Sequence, residues 1–188
     1  MHIFYWKIGW LTAWIELLNI RQLRDAVAFE GPRMKFSTRE DIEAPIDYVY
    51  SRITDFQGFE RQALRRGVNV QRIDNAPVPV EGSSWDVAFK FRGKDRNLKA
   101  IITRLNEPTE NRLYTAANGL DGVTQIELVP LSRNRTRIAV SLELSPQSLS
   151  ARLLLQSLKL AKNSLSRRFG MRVTDFAEDV EESHRKGA

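Results

Sequence analysis

The chemistry open to this 188-residue chain is bounded first by what it lacks. It has no cysteine, and its only histidines are His2 and His184, one near each end. Thiolate nucleophiles, disulfide scaffolds, iron–sulfur clusters and cysteine zinc sites are therefore excluded, along with nearly every histidine-based triad and most transition-metal centres. Carboxylates and tyrosines are left for proton transfer. Glu40, which shares a strand face with Phe36 and Ile42, is the best candidate for an inward carboxylate. Tyr48, Tyr50 and Tyr114 could donate a phenolic proton, although the alternation around Tyr114 turns that ring outward. A general acid or base must reach its substrate by a hydrogen bond, and on this pattern no catalytic residue, metal ligand or cofactor is assigned.

Charge offers a second kind of chemistry. The chain carries 29 Lys and Arg against 23 Asp and Glu, a net +6, which could suit nucleic acid or an anionic membrane surface. The longest basic runs are only pairs, Arg65-Arg66, Arg167-Arg168 and Arg185-Lys186, so a solvated surface is the simpler reading. The alternative, a functional basic patch, would sit at two hairpin tips, Arg92, Lys94 and Arg96 at one and Arg133 and Arg135 at the other, with Arg61, Arg65 and Arg66 as further cations. These elements show no base-stacking aromatics, which argues against sequence-reading RNA contacts.

The elements that position these groups begin after an unusual first segment. Trp6, Trp10 and Trp14 form one aromatic stripe on a helix. Lys7 and Glu16 leave an uncharged run of only Ile8 to Ile15, well under the ~20 residues of a membrane span. No signal-peptide cleavage pattern follows, and a cytoplasmic protein is expected. Three readings of residues 1–33 stay open: a docked helix, an interfacial membrane anchor through residues 1–20, or an extension upstream of a start at Met34. The main domain is read as residues 34–182, with a disordered tail at 183–188.

From Met34 the pattern is regular. Lys35 to Glu43 alternates as a strand, Ala44-Pro45 opens a short helix carrying Ile46, Val49, Tyr50 and Ile53, and a second short helix runs from Phe59 to Arg66. Strands follow. Trp85, Val87 and Phe89 share one face of Ser84 to Arg92. A Gly93-Lys94 turn predicts Phe89 opposite Leu98, Val87 opposite Ala100 and Trp85 opposite Ile102. A four-residue loop at Glu107 to Glu110 would set Ile102 opposite Thr115 and Arg104 opposite Leu113. Either two-residue turn within Asn118 to Gly122 keeps Leu113 and Thr115 on the face of Thr124, Ile126 and Leu128. Ile138, Val140, Leu142 and Leu144 join that face if the last hairpin loop has an odd residue count. One long helix is then expected from Gln147 to about Glu182, started by Ser145-Pro146. Leu154, Leu158, Ala161, Leu165, Phe169, Val173, Phe176 and Val180 form its apolar stripe, with a bend or a packing contact at Gly170.

The order of strand, two short helices, about six antiparallel strands and a long helix resembles the START / birch-pollen-allergen superfamily, also labelled SRPBCC or polyketide-cyclase-like. The resemblance covers Met34 to about Val180. It is carried by Ile42-Glu43-Ala44-Pro45 leading into Val49 and Thr54-Asp55-Phe56, by Gly82-Ser83-Ser84-Trp85, and by the hairpin Leu128 to Val140. It implies an α+β helix-grip fold, in which a curved sheet of about seven strands wraps a C-terminal helix around an apolar cavity. Many members carry an aromatic pair soon after the Asp-Phe of the first helix, whereas here Phe59 is followed by Glu60-Arg61.

The inner face so derived contains no carboxylate, histidine or lysine, and its few polar groups are threonine hydroxyls. Such walls suit a hydrophobic ligand with a few orienting groups. The expected site comprises Trp85, Val87 and Phe89 from one strand, Ile102, Leu113 and Thr115 from the next two, and Ile126, Leu128, Val140 and Leu142 from the last two. Leu154, Leu158 and Leu165 of the helix would face them. The favoured function is a non-catalytic binding or carrier domain for a lipid, polyketide or similar molecule. A cyclase or dehydratase on the same fold, or a basic module binding RNA-protein or anionic membrane, are the alternatives.

Overall fold

The computed structural model describes residues 33–91 and 94–187. The Trp6, Trp10 and Trp14 stripe, the proposed membrane contact of residues 1–20, and Arg92 lie outside the described residues. The chain runs β1 (Met34–Ile42), α1 (Ile46–Ile53), α2 (Phe56–Arg65), β2 (Asn69–Arg72), β3 (Ser84–Phe91), β4 (Lys94–Asn106), β5 (Glu110–Ala117), β6 (Leu120–Ser132), β7 (Arg135–Pro146), α3 (Leu149–Leu160) and α4 (Lys162–Gly187). Every strand pairs antiparallel with its neighbours in the order β1-β7-β6-β5-β4-β3-β2. The fold is α+β and helix-grip, as the resemblance implied.

Local chemistry explains the element ends. Pro45 caps α1, whose Val49, Tyr50 and Ile53 are buried. Asp55 caps α2 by accepting from the Gly58 N–H at 2.9 Å. A Cβ at Gly58 would lie 2.0 Å from Asp55 Oδ2, so only glycine admits this cap. Asn118 and Gly119 take φ of 49° and 74°, the left-handed pair that a two-residue turn between Ala117 and Leu120 needs.

Three registers differ from expectation, and facing survives in each. In the β3–β4 hairpin Phe91 pairs with Lys94, so Phe89 lies opposite Arg96, Val87 opposite Leu98 and Trp85 opposite Ala100. The slip is two residues, which preserves the face. Between β4 and β5 Ile102 pairs with Leu113 and Ala100 with Thr115, with an irregularity between Ile102 and Arg104. The β6–β7 hairpin closes with Ser132 opposite Arg135, an even loop, and a bulge between Pro130 and Ser132 restores the parity. Leu128 therefore still faces Ile138.

The long helix is two helices. Ser148, not Ser145-Pro146, caps α3 by accepting from Ala151 N, and α3 ends at Ala161 with φ −98° and ψ 8°. Neither glycine nor proline marks this break. The two segments pack on different surfaces: Ala151 and Leu155 bury α3, whereas Val173, Phe176, Ala177 and Val180 bury α4. Gly170 does not end α4; its Cβ position lies 3.9 Å from Thr38 Oγ1, a packing contact with β1. Residues 183–187, expected as a disordered tail, continue α4. Their anchor is His184, whose ring lies 4.7 Å from that of Tyr48 on α1.

Candidate ligand site between sheet and helices

The inner face can be followed strand by strand across the sheet. One row reads Phe36, Leu142, Thr124, Leu113 and Ile102; the next reads Thr38, Val140, Ile126, Asn111 and Leu105. Phe169 of α4 packs over the first, its ring 6.1 Å from Phe36. Of the expected site residues, Trp85, Val87, Phe89, Ile102, Thr115, Leu128, Val140 and Leu142 are buried. Leu113, Ile126, Leu154, Leu158 and Leu165 are only partly buried, although all pack against the core clusters. The apolar wall therefore keeps solvent-accessible surface on both its sheet and its helix side.

Trp85 does not stand free on this wall. Its ring stacks on Phe56 at 5.4 Å, and the Arg72 guanidinium carbon sits 5.9 Å from its centroid. Its Nε1–H donates to Glu60 Oε1 at 2.6 Å. Glu60 is the residue that follows Phe59 where the resembling family carries aromatics. Its carboxylate here pins the indole beneath α2.

Polar groups on the inner face are more varied than the alternation suggested. Thr115 Oγ1 donates to Gly122 O at 3.3 Å, which satisfies the hydroxyl internally. Asn111 is 5% exposed, and its Oδ1 has no hydrogen-bond partner among the described residues. Such a group normally finds a partner, because leaving it unpaired costs about 1–3 kcal/mol. The signal was available: Asn111 shares the period-2 face of Leu113 and Thr115. Arg96 is inward as well, 8% exposed opposite Phe89, which corrects its placement on an exposed tip. Its parity is that of Leu98, Ala100 and Ile102, which the two-residue slip leaves unchanged.

The acid–base candidates are accounted for. Glu40 does point toward the helix, where Thr174 Oγ1 donates to its Oε1 at 2.8 Å. Tyr114 pairs with Ile101 and Val123 on the outer face, and burial together with a hydrogen bond to Asp121 pushes its phenol up. Tyr50 is buried in α1, which raises it too. Among the described residues no group of three or more His, Asp or Glu side chains is placed to hold a metal ion.

The charged surface is partly self-paired. Asp41 accepts from Arg137 Nε at 2.6 Å and from Arg135 Nη2 at 3.1 Å, and the Arg137 hydrogen bond holds its carboxyl below the ordinary value. Arg135 is thus engaged by β1, while Arg133 stays exposed. Asp74 accepts from Arg72 Nε and Nη2 at 2.9 and 2.6 Å and from the Ala76 and Ser84 N–H groups. This fastens the β2–β3 loop and, chiefly through Arg72, drives Asp74 far below the usual carboxylate range.

The sequence matches no family model and no curated protein. Solved structures do match in fold. A Staphylococcus aureus protein of unknown function aligns at TM-score 0.59 with 13% identity, covering 84% of this chain and 98% of its own. The Zhui aromatase/cyclase from Streptomyces sp. R1128 aligns at TM-score 0.55 with 12% identity, covering 80% and 94%. Ara h 8.0201 aligns at TM-score 0.51 with 12% identity, covering 78% and 99%. At these identities the likeness is one of backbone. The chain has the helix-grip fold of the START / birch-pollen-allergen-like, or SRPBCC, superfamily.

Proposed function

We propose that the protein is a non-catalytic binding or carrier domain for a hydrophobic small molecule, a lipid, polyketide or similar compound. The molecule is held between the inner sheet face and the helices α3 and α4. The observation that carries this reading is the incomplete burial of Leu113, Leu154, Leu158 and Leu165, apolar residues that pack on one core cluster from its sheet side and its helix side. A closed core would cover them, since each buried side chain of this size gains about 1.5–3 kcal/mol. Asn111 supplies the polar orienting group that such sites use. Its unpaired Oδ1 suits a ligand hydroxyl or N–H.

The test is titration of the full chain with fluorescent fatty acids and aromatic polyketides, together with native mass spectrometry of protein purified without added ligand. Saturable binding that falls at least about tenfold in Leu113→Trp, which fills the space, and is unchanged in the outward Leu153→Ala is the expected result. No binding of any probe and no retained mass would overturn the carrier reading.

A further inference from the structure

The net charge of +6 is unevenly placed. Between Glu143 and Asp175 the chain has no acidic residue, whereas Arg152, Lys159, Lys162, Arg167, Arg168 and Arg172 all fall there. That stretch is α3 and the first half of α4. Beyond it the sign reverses: Asp175, Glu178, Asp179, Glu181 and Glu182 crowd the rest of α4. Part of that acidic half is engaged, Asp179 with Arg52 and Glu182 with Lys186.

The basic stretch also exposes large apolar side chains. Leu149 is 58% exposed, Leu153 63%, Leu160 93% and Met171 58%. At about 100° per residue, Leu149, Leu153 and Leu160 fall within about 40° of one another on α3. That stripe lies away from Ala151 and Leu155, which bury the opposite side of the helix. Lys159, Lys162 and Arg167 are exposed beside and beyond it, and no ion pair among the described residues involves them.

We propose that this face docks the protein on an anionic phospholipid surface, Leu149, Leu153 and Leu160 entering the headgroup boundary and Lys159, Lys162 and Arg167 meeting the phosphates. Leucines alone would fit any apolar partner, and cations alone would fit nucleic acid. An exposed leucine stripe on α3, followed by cations at its end and on the first turns of α4 with no carboxylate before Asp175, is the combination that an anionic lipid interface rewards. A nucleic acid gains nothing from exposed leucines and stacks on aromatics, of which α3 has none. Contact is at the surface only, since no helix among the described residues is long and apolar enough to cross a membrane. The hairpin tips are the weaker site, because Arg96 is buried and Arg135 is paired with Asp41.

The experiment is co-sedimentation of the full chain with vesicles of phosphatidylglycerol and phosphatidylcholine, against phosphatidylcholine alone. Because the chain has no cysteine, Leu153→Cys also carries a unique environment-sensitive label. Binding to the anionic vesicles only is expected, with a blue shift of the label. Each cation near the surface is worth about fivefold in affinity, so Lys159→Glu/Lys162→Glu/Arg167→Glu should lose on the order of 100-fold. Arg133→Glu at the β6–β7 tip should change binding less than about twofold. Equal binding to neutral vesicles, an unshifted label, or an unaffected triple variant would overturn the proposal. So would binding of polyuridine RNA, abolished in the triple variant, in place of vesicles.

Discussion

The two ends of the inner sheet face are built to different standards. Toward α1, Ile42, Val49, Ile138, Val140, Val173 and Val180 are each 0–1% exposed, and three polar ties hold α4 there. These ties are Glu43 N–H to Glu181, Arg52 to Asp179, and the Tyr48–His184 ring contact. Toward α3, the helix contributes Leu155 at 0%, but Leu154, Leu158 and Leu165 remain partly buried. The helices grip one half of the sheet and roof the other loosely. Stability is thus expected to reside in the α1 half and binding in the α3 half, a division that substitutions can break.

The largest effect should come from the closed half. Ile138→Ala, at a 1% exposed site, is expected to cost about 2–5 kcal/mol in urea unfolding, while Leu158→Ala in the loose half should cost under about 1 kcal/mol and weaken probe binding instead. Equal losses would show that the two halves are one cooperative core. Next is Thr136, 0% exposed, whose Oγ1 donates to the Ala44 carbonyl at 2.8 Å. Thr136→Val strands that acceptor and should cost about 1–3 kcal/mol.

Asn111→Leu should have the opposite sign. Removing a buried amide whose Oδ1 lacks a partner is expected to raise the melting temperature of the ligand-free protein, and to weaken hydroxylated probes more than their deoxy analogues. A fall in melting temperature would assign Asn111 a structural bond instead. The smallest effect concerns acid. Asp41 titrates lower in the folded protein than in the unfolded chain, so its contribution is present above the ordinary carboxylate pKa of about 3.9 and fades as pH falls through the lowered value. Asp41→Asn should therefore flatten the acid limb of the stability curve by lowering the melting temperature slightly at pH 7 while leaving it unchanged at the acid end. An unaltered acid limb would place the acid sensitivity at Asp74 or elsewhere.

Much of the architecture was legible in the residues, because strand facing has a period of two and errors of two residues leave it intact. Trp85, Val87, Phe89, Leu98, Ala100 and Ile102 all point inward although each of their predicted cross-strand partners was wrong. The same tolerance hid the chemistry. Arg96 and Asn111 obey the inward alternation, yet a polar residue near a turn reads as an exposed end until the paired strand is in place. The Glu60 bond to Trp85 joins residues 25 apart in sequence, and no local pattern encodes such a contact. The break at Ala161 is of the same kind: a continuous helical periodicity crosses it, and only the differing surfaces under α3 and α4 divide it. The chain by itself thus determined which side chains face inward, since alternation and helical spacing are local. Which of them are sealed, paired or left accessible was decided by how the helices settle on the curved sheet, since burial depends on neighbours that are distant in sequence.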